Sequence, residues 1–229
     1  LEGAAIIDIG GESTRPGAKS VSLQQEIERV LPVVEMISSE LDVVVSVDTS
    51  SPELMNEAAK AGAGMINDVR ALSRDKAIEV AVQSGMAVCL MHMQGQPSTM
   101  QLEPTYNSVV KEVSNFLLLR INACEKAGID KTKILVDPGF GFGKKLEHNF
   151  SLLNSLQTFS GLAAGVVVGL SRKSMISRVL GGDIKDRLPA SLALAVMAVE
   201  RGASIVRVHD VGATRDAIEM VVAARNLKK

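Results

Sequence analysis

Seven short apolar runs along this chain break off abruptly into polar residues. They are Ala4 to Asp8, Val43 to Asp48, Met65 to Asp68, Ala87 to His92, Ile134 to Asp137, Val166 to Ser171 and Ile205 to His209. Near-continuous apolar character predicts strands buried on both faces, the habit of parallel sheets. Between them lie stretches with helical spacing. From Ser22 to Ser39, the residues Leu23, Ile27, Val30, Leu31, Val34 and Ile37 form one stripe. Ser22 and Gln25 are placed as a capping box, and Pro32 is expected to kink or break this helix. Ser51-Pro52 opens a second helix that Gly62 ends. Further helices are expected over 75–84, 106–127, 148–159, 189–201 and 214–227.

Strand and helix therefore alternate, which implies a parallel sheet with helices outside it. An open doubly wound sheet and a closed barrel both satisfy that pattern. An eight-fold barrel takes about 250 residues, roughly 31 per unit. Seven units in 229 residues give roughly 33 each. The arithmetic favours an α/β TIM (β/α)8 barrel with seven βα units visible and the first unit missing. Leu1-Glu2-Gly3-Ala4 reads as a helix tail stopped by glycine. Roughly 30–40 residues, about one unit, are then expected ahead of it. On this reading residues 1–229 form a single barrel domain, and a complete seven-unit open sheet is the alternative.

Composition narrows the function classes. Hydrophobic residues make up 46% of the chain, charged residues 22%, and the net charge is -1. Collagen-like, disordered and disulfide-stapled classes are excluded. Near-zero charge leaves no basic footprint for nucleic acid or an anionic membrane. The apolar runs are too short and too often broken by Gly to span a bilayer. Cys89 and Cys124 sit in apolar or helical context and read as reduced thiols of a cytoplasmic protein.

Candidate chemistry gathers where the strands end. Asp8, Asp48, Asn67, Asp68, His92, Asp137, Ser171, Arg207, His209 and Asp210 all fall there. In a barrel that end carries the active site. In the loop from Asp8 to Gly17, Thr14 offers a hydroxyl and Arg15 a planar fork for phosphate or carboxylate. The stretch Asp137 to Lys144 alternates three glycines with Phe140 and Phe142 and reads as a mobile loop whose rings cover something flat. Lys173 suits a Schiff base, a phosphate contact or simple donation. Arg207 and His209 share one side of the last strand, so with Arg15 they could surround a polyanion. Asp48, Asn67 and Asp137 could bind a planar heterocycle that presents several N–H donors and one carbonyl. Buried carboxylates there need a donor-rich ligand or Lys173 beside them. Clustered Asp could instead hold a metal. The spacing offers no dedicated ligand set, although Mg2+ shared with a diphosphate needs few protein ligands.

The ordered segments 8–17, 46–50, 66–70, 90–97, 137–144, 171–175 and 207–211 resemble the bacterial dihydropteroate synthase family of folate biosynthesis, and the likeness covers the whole chain. The resemblance implies a cytoplasmic, homodimeric TIM barrel and a sulfonamide-sensitive transferase. The implied reaction condenses 6-hydroxymethyl-7,8-dihydropterin diphosphate with p-aminobenzoate, giving 7,8-dihydropteroate and diphosphate, with Mg2+ required. It assigns Asp48, Asn67, Met91, Asp137, Lys173 and Arg207 to the pterin, with Asp137, Lys173 and Asp48 as the catalytic set. Arg15, Arg207 and His209 fall to the diphosphate, and Thr14, Pro16, Phe142 and Ser171 to p-aminobenzoate. The family's first loop carries an Asn that helps hold Mg2+, and this sequence shows no such segment, so no metal ligand is expected in it.

Other readings use the same residues. A pterin-dependent methyltransferase would keep the Asp and Asn contacts. A Schiff-base aldolase would use Lys173, and a pterin-binding fragment would bind without turnover. The segment from Leu188 to Val199 is apolar around nearly its full circumference, which suggests a dimer interface.

Overall fold

The computed structural model describes residues 2–15, 17–18 and 21–226. Its strands are β1 (Ile6–Gly10), β2 (Val44–Asp48), β3 (Met65–Asp68), β4 (Ala87–Met91), β5 (Ile134–Asp137), β6 (Gly165–Val168) and β7 (Ile205–Val206). The helices are α1 (Leu23–Glu40), α2 (Pro52–Lys60), α3 (Ala77–Ser84), α4 (Val109–Ala127), α5 (Leu146–Asn154), α6 (Ser174–Leu180), α7 (Leu188–Glu200) and α8 (Val211–Asn226).

All strand pairs are parallel, and the sheet order is β1-β2-β3-β4-β5-β6-β7. A doubly wound sheet reverses its strand order at a switch point. Here the order never reverses, so successive right-handed crossovers put every helix on one side and the sheet curls into a barrel wall. The seven units are those of a TIM-type barrel. Between β1, β7 and α8 lies a cavity of about 890 Å³ lined by Ile7, Met65, Val167, Ile205 and Ile218. Its upper end reaches Asp8, Asn67 and Arg207.

Strand periodicity sorts the side chains. Val45 and Val47 point outward and are buried with Val30, Val34, Leu54 and Ala58 under the helices. The alternate residues Ser46 and Asp48 point inward. Lower in the barrel the inner face is lined by Met65, Cys89 and Val167. The large core is thus the layer between strands and helices, and the inner face is free to turn polar at its upper end.

Three expectations change. α1 runs unbroken through Pro32, with the Ser22–Gln25 capping box in place. Pro32 is exposed, and so is Glu28, whose carbonyl loses its helical partner and can meet water. The helix expected over 148–159 starts at Leu146 and gives way to a 3-10 turn at Leu156–Phe159. α6 was not expected: seven residues are too short to display a helical stripe, and it gives β6 two following helices.

Candidate active site

The parallel register lines up the functional side chains. Asp8 lies level with Ser46, Asp48 with Asn67, and Met91 with Asp137. Asp8 is the hub. Its Oδ1 accepts from Ser46 Oγ at 2.6 Å, and its Oδ2 accepts from Asn67 Nδ2 at 3.1 Å and Arg207 Nε at 2.6 Å. Arg207 also reaches Asp48, with its other guanidinium nitrogen 3.6 Å from Oδ2. One cation from the last strand therefore spans the carboxylates of the first two. Gly10 permits this packing, because a Cβ there would press on Asp48 Cβ at 3.3 Å.

Asp137 is buried, with Oδ1 accepting from Gly139 N at 2.7 Å. Lys173 closes the arc. Its Nζ donates to the Phe140 carbonyl at 2.7 Å and stands 4.4 Å from the centre of the Phe142 ring. Ser171 Oγ is 3.2 Å from the His209 amide and 3.0 Å from His209 Nδ1, so it orients that ring.

Burial sets the electrostatics. Desolvation and the neighbouring Asp8 charge push Asp48 up to about 7, against the pull of Arg207. Desolvation raises Asp137, while the Gly139 N–H and then Lys173, Lys144 and Arg207 favour its charged form. Burial lowers Lys173 to about 8, with Asp137 opposing. Burial also works against the Arg207 charge, but Asp8 and Asp48 together hold it above its ordinary range. His209 is lowered by burial and by the charges of Arg172, Arg207 and Arg15. That last cause puts Arg15 within electrostatic reach of the expected polyanion subsite.

The sequence expectations divide cleanly. Asp48, Asn67, Met91, Asp137, Lys173 and Arg207 come together, and Ser171, Phe142 and His209 border them. Thr14 and the exposed Arg15 lie on the loop after β1, while Pro16, like Leu1, lies outside the described residues. Three strand-end residues do other work. Asp68 accepts from the Arg70 and Leu72 amides and from Ser50, which fixes its own loop. Asp210 pairs with Arg172, Nε to Oδ2 at 3.0 Å. His92 turns away from the barrel interior, against Lys144, and meets Phe116 of α4 edge-on at 5.0 Å.

The loop expected to be mobile is instead tied at four successive carbonyls. Phe140 is held by Lys173 at 2.7 Å, Gly141 by Gln101, Phe142 by Lys144 at 3.0 Å and Gly143 by Tyr106 at 2.8 Å. Lys144 belongs to the loop itself, Gln101 and Tyr106 to the segment before α4, and Lys173 to the turn after β6. Spacing alone did not single out the hub role of Asp8 or the burial of Lys144.

Known proteins match this arrangement. The profile of the pterin binding enzyme family covers residues 1–209. Dihydropteroate synthase of Escherichia coli strain K12 is 52% identical over 227 residues, 99% of this chain and 80% of that protein. The Haemophilus influenzae enzyme is 51% identical over 225 residues, 98% of this chain and 82% of that one. The Yersinia pestis dihydropteroate synthase, solved with a sulfonamide drug complex, superposes with a TM-score of 0.96 at 48% identity, covering 98% of this chain and 82% of that one. The Burkholderia cenocepacia enzyme, complexed with 7,8-dihydropteroate, gives a TM-score of 0.93 at 46% identity, covering 99% of this chain and 84% of that one. With half its residues shared along nearly its whole length, the chain belongs to the pterin-binding enzyme family, among the dihydropteroate synthases.

Proposed function

We propose that this chain joins 6-hydroxymethyl-7,8-dihydropterin diphosphate to p-aminobenzoate, releasing diphosphate and forming 7,8-dihydropteroate. The observation that best supports this reading is the convergence of Asp48, Asn67 and Asp137 from three strand ends, with Arg207 and Lys173 between them. A pterin ring offers N–H donors to such acceptors and a carbonyl to Lys173. Arg15, Arg207 and His209 would neutralise the departing diphosphate. The C–O bond to diphosphate breaks, and the dihydropterin ring and the Asp137 carboxylate stabilise the positive methylene left behind. The aryl amine then forms the C–N bond and gives up a proton. Thr14, Phe142 and Ser171 would hold that amine, with Pro16 in the same loop. No protein nucleophile is required, and positioning carries much of the rate.

Mg2+ belongs to the same reading only as an ion shared with diphosphate. No group of three or more His, Cys, Asp or Glu among the described residues forms a metal site. The residues present therefore do not fit a protein-held ion, and no step is derived through one. We also propose a cytoplasmic homodimer that pairs through α7. Both cysteines are free and buried, which fits a reducing compartment. No described helix is long and apolar enough to cross a membrane.

The test is formation of dihydropteroate from the two substrates by the full-length protein. Asp137→Ala and Lys173→Ala are expected to abolish turnover while far-UV circular dichroism stays native. Near-normal activity in either variant would sink the assignment. Sedimentation showing only monomer at micromolar concentration would refute the dimer.

A further inference from the structure

One buried charge is left over from that chemistry. Lys144 is 2% exposed, and its Nζ contacts only neutral acceptors: the Phe142 carbonyl and His92 Nδ1, each at 3.0 Å, and the His92 carbonyl at 3.4 Å. His92 is neutral because burial and the Lys144 charge lower it to about 3. A neutral donor would satisfy the same carbonyls at a smaller desolvation cost. The charge therefore points to an ionised neighbour, and the neighbour it favours is Asp137. The geometry agrees. Lys144 Nζ lies 3.4 Å from where a Gly139 Cβ would stand, and the Gly139 amide is the group that caps Asp137 at 2.7 Å.

We infer that Lys144 is a positioning residue for the synthase reaction: behind the Gly139 turn, its charge keeps Asp137 an acceptor and its N–H sets Phe142 against Lys173. The inference rests on the reading of the site given above. Asp137 is faced by Lys173 from the loop after β6, Arg207 from the end of β7, the neutral Cys89 thiol of β4 and Lys144 from its own loop. Lys173 and Arg207 border the substrate space, so Lys144 alone acts from the closed side. Burial lowers Lys144 to about 7. Its charge is thus present on the acid side of neutrality, where it opposes protonation of Asp137.

The experiment is the pH profile of kcat/KM from pH 5 to 9 for the wild type, Lys144→Met and Lys144→Gln. Gln keeps an N–H for the Phe142 carbonyl without the charge, and it carries the test if the Met variant fails to fold. The acid limb should rise by about one unit in both variants, so kcat/KM falls by up to about tenfold at pH values below the wild-type limb. At pH 8 the loss should stay within about threefold, because Lys144, lowered to about 7, has lost most of its charge there. Profiles parallel to the wild type, even if uniformly lower, would reduce Lys144 to a structural part and overturn the inference. A wild type that makes no dihydropteroate at any pH would instead refute the function beneath it.

Discussion

Removing the Asp8 carboxylate should cost both stability and turnover, by amounts that follow from its three partners. In Asp8→Ala, Ser46 Oγ and Asn67 Nδ2 lose their acceptor. Both residues are buried, Ser46 at 0% and Asn67 at 9% exposure. A buried donor left without a partner costs about 1–3 kcal/mol. The Arg207 side chain is 50% exposed, so its lost pair adds only about 0–1 kcal/mol. Removing the Asp8 charge also relieves Asp48, an offset of about 1 kcal/mol. The net loss is about 1–6 kcal/mol, for most of that range below the about 5–15 kcal/mol stability of a typical domain. The variant should therefore fold, with a lower urea midpoint.

The functional loss has a different origin. Asp8 holds the Nδ2 end of the Asn67 amide, which leaves Oδ1 to face the ligand. Without it the amide is free to turn over and Arg207 to leave Asp48. A loss of about 10–100-fold in kcat/KM is expected, worth about 1.4–2.7 kcal/mol. Asp8→Asn keeps the shape and one acceptor oxygen, so it should fall between Ala and the wild type. Urea unfolding and steady-state dihydropteroate formation measure the two effects. An Ala variant within about twofold of wild-type kcat/KM, or within about 0.5 kcal/mol of its stability, would refute the hub role.

Three more outcomes follow from the same geometry. Asp48 is held near 7 in the fold against an ordinary 3.8, so its contribution is whole below about pH 4 and is lost as pH rises through 7. Asp48→Asn should remove that loss, unfolding on the order of 2–4 kcal/mol less readily than wild type at pH 8 but not at pH 4, with activity gone; equal stabilities at pH 8 would contradict the assigned shift. Gly139→Ala should fail to accumulate as folded protein, since its Cβ would stand 1.8 Å from the His92 carbonyl oxygen at a φ of +72°; a wild-type melting temperature would disprove the close approach. Phe142→Ala strips the ring from beside Lys173 and should raise KM for p-aminobenzoate about tenfold with kcat less affected, and an unchanged KM would exclude Phe142 from that pocket.

Much of the fold is written locally. Each strand is an apolar run ending in a polar residue, and Ser22, Pro52, Gly85 and Gly128 mark helix ends that the structure uses. Those signals act within a few residues, so spacing displays them. The interior of the site is written elsewhere. Asp8 and Arg207 stand 199 residues apart in sequence and 2.6 Å apart in space. Nothing near Asp8 distinguishes it from Asp68, which also ends a strand yet caps its own loop. The loop before Lys144 misled for the same reason. Three glycines suggest freedom, but the restraints arrive from Gln101, Tyr106 and Lys173, which no local pattern ties to that loop.

The charges at the mouth explain why such a site must be assembled from distant pieces. Asp8, Asp48 and Asp137 crowd a largely buried space, and Asp48 is pushed towards neutrality by burial and then by the Asp8 charge. Packing alone would favour fewer charges, since a buried ion is stabilised only by partners that replace its water. Arg207 is shared between two carboxylates, and Lys173 donates a hydrogen bond to a backbone carbonyl, so neither fully offsets the acids. The deficit is in donors. A ligand rich in N–H groups would supply what the protein leaves out. That imbalance selects for a pterin-like ring over an acceptor-rich one, and it ties recognition to the carboxylates that cost the fold most.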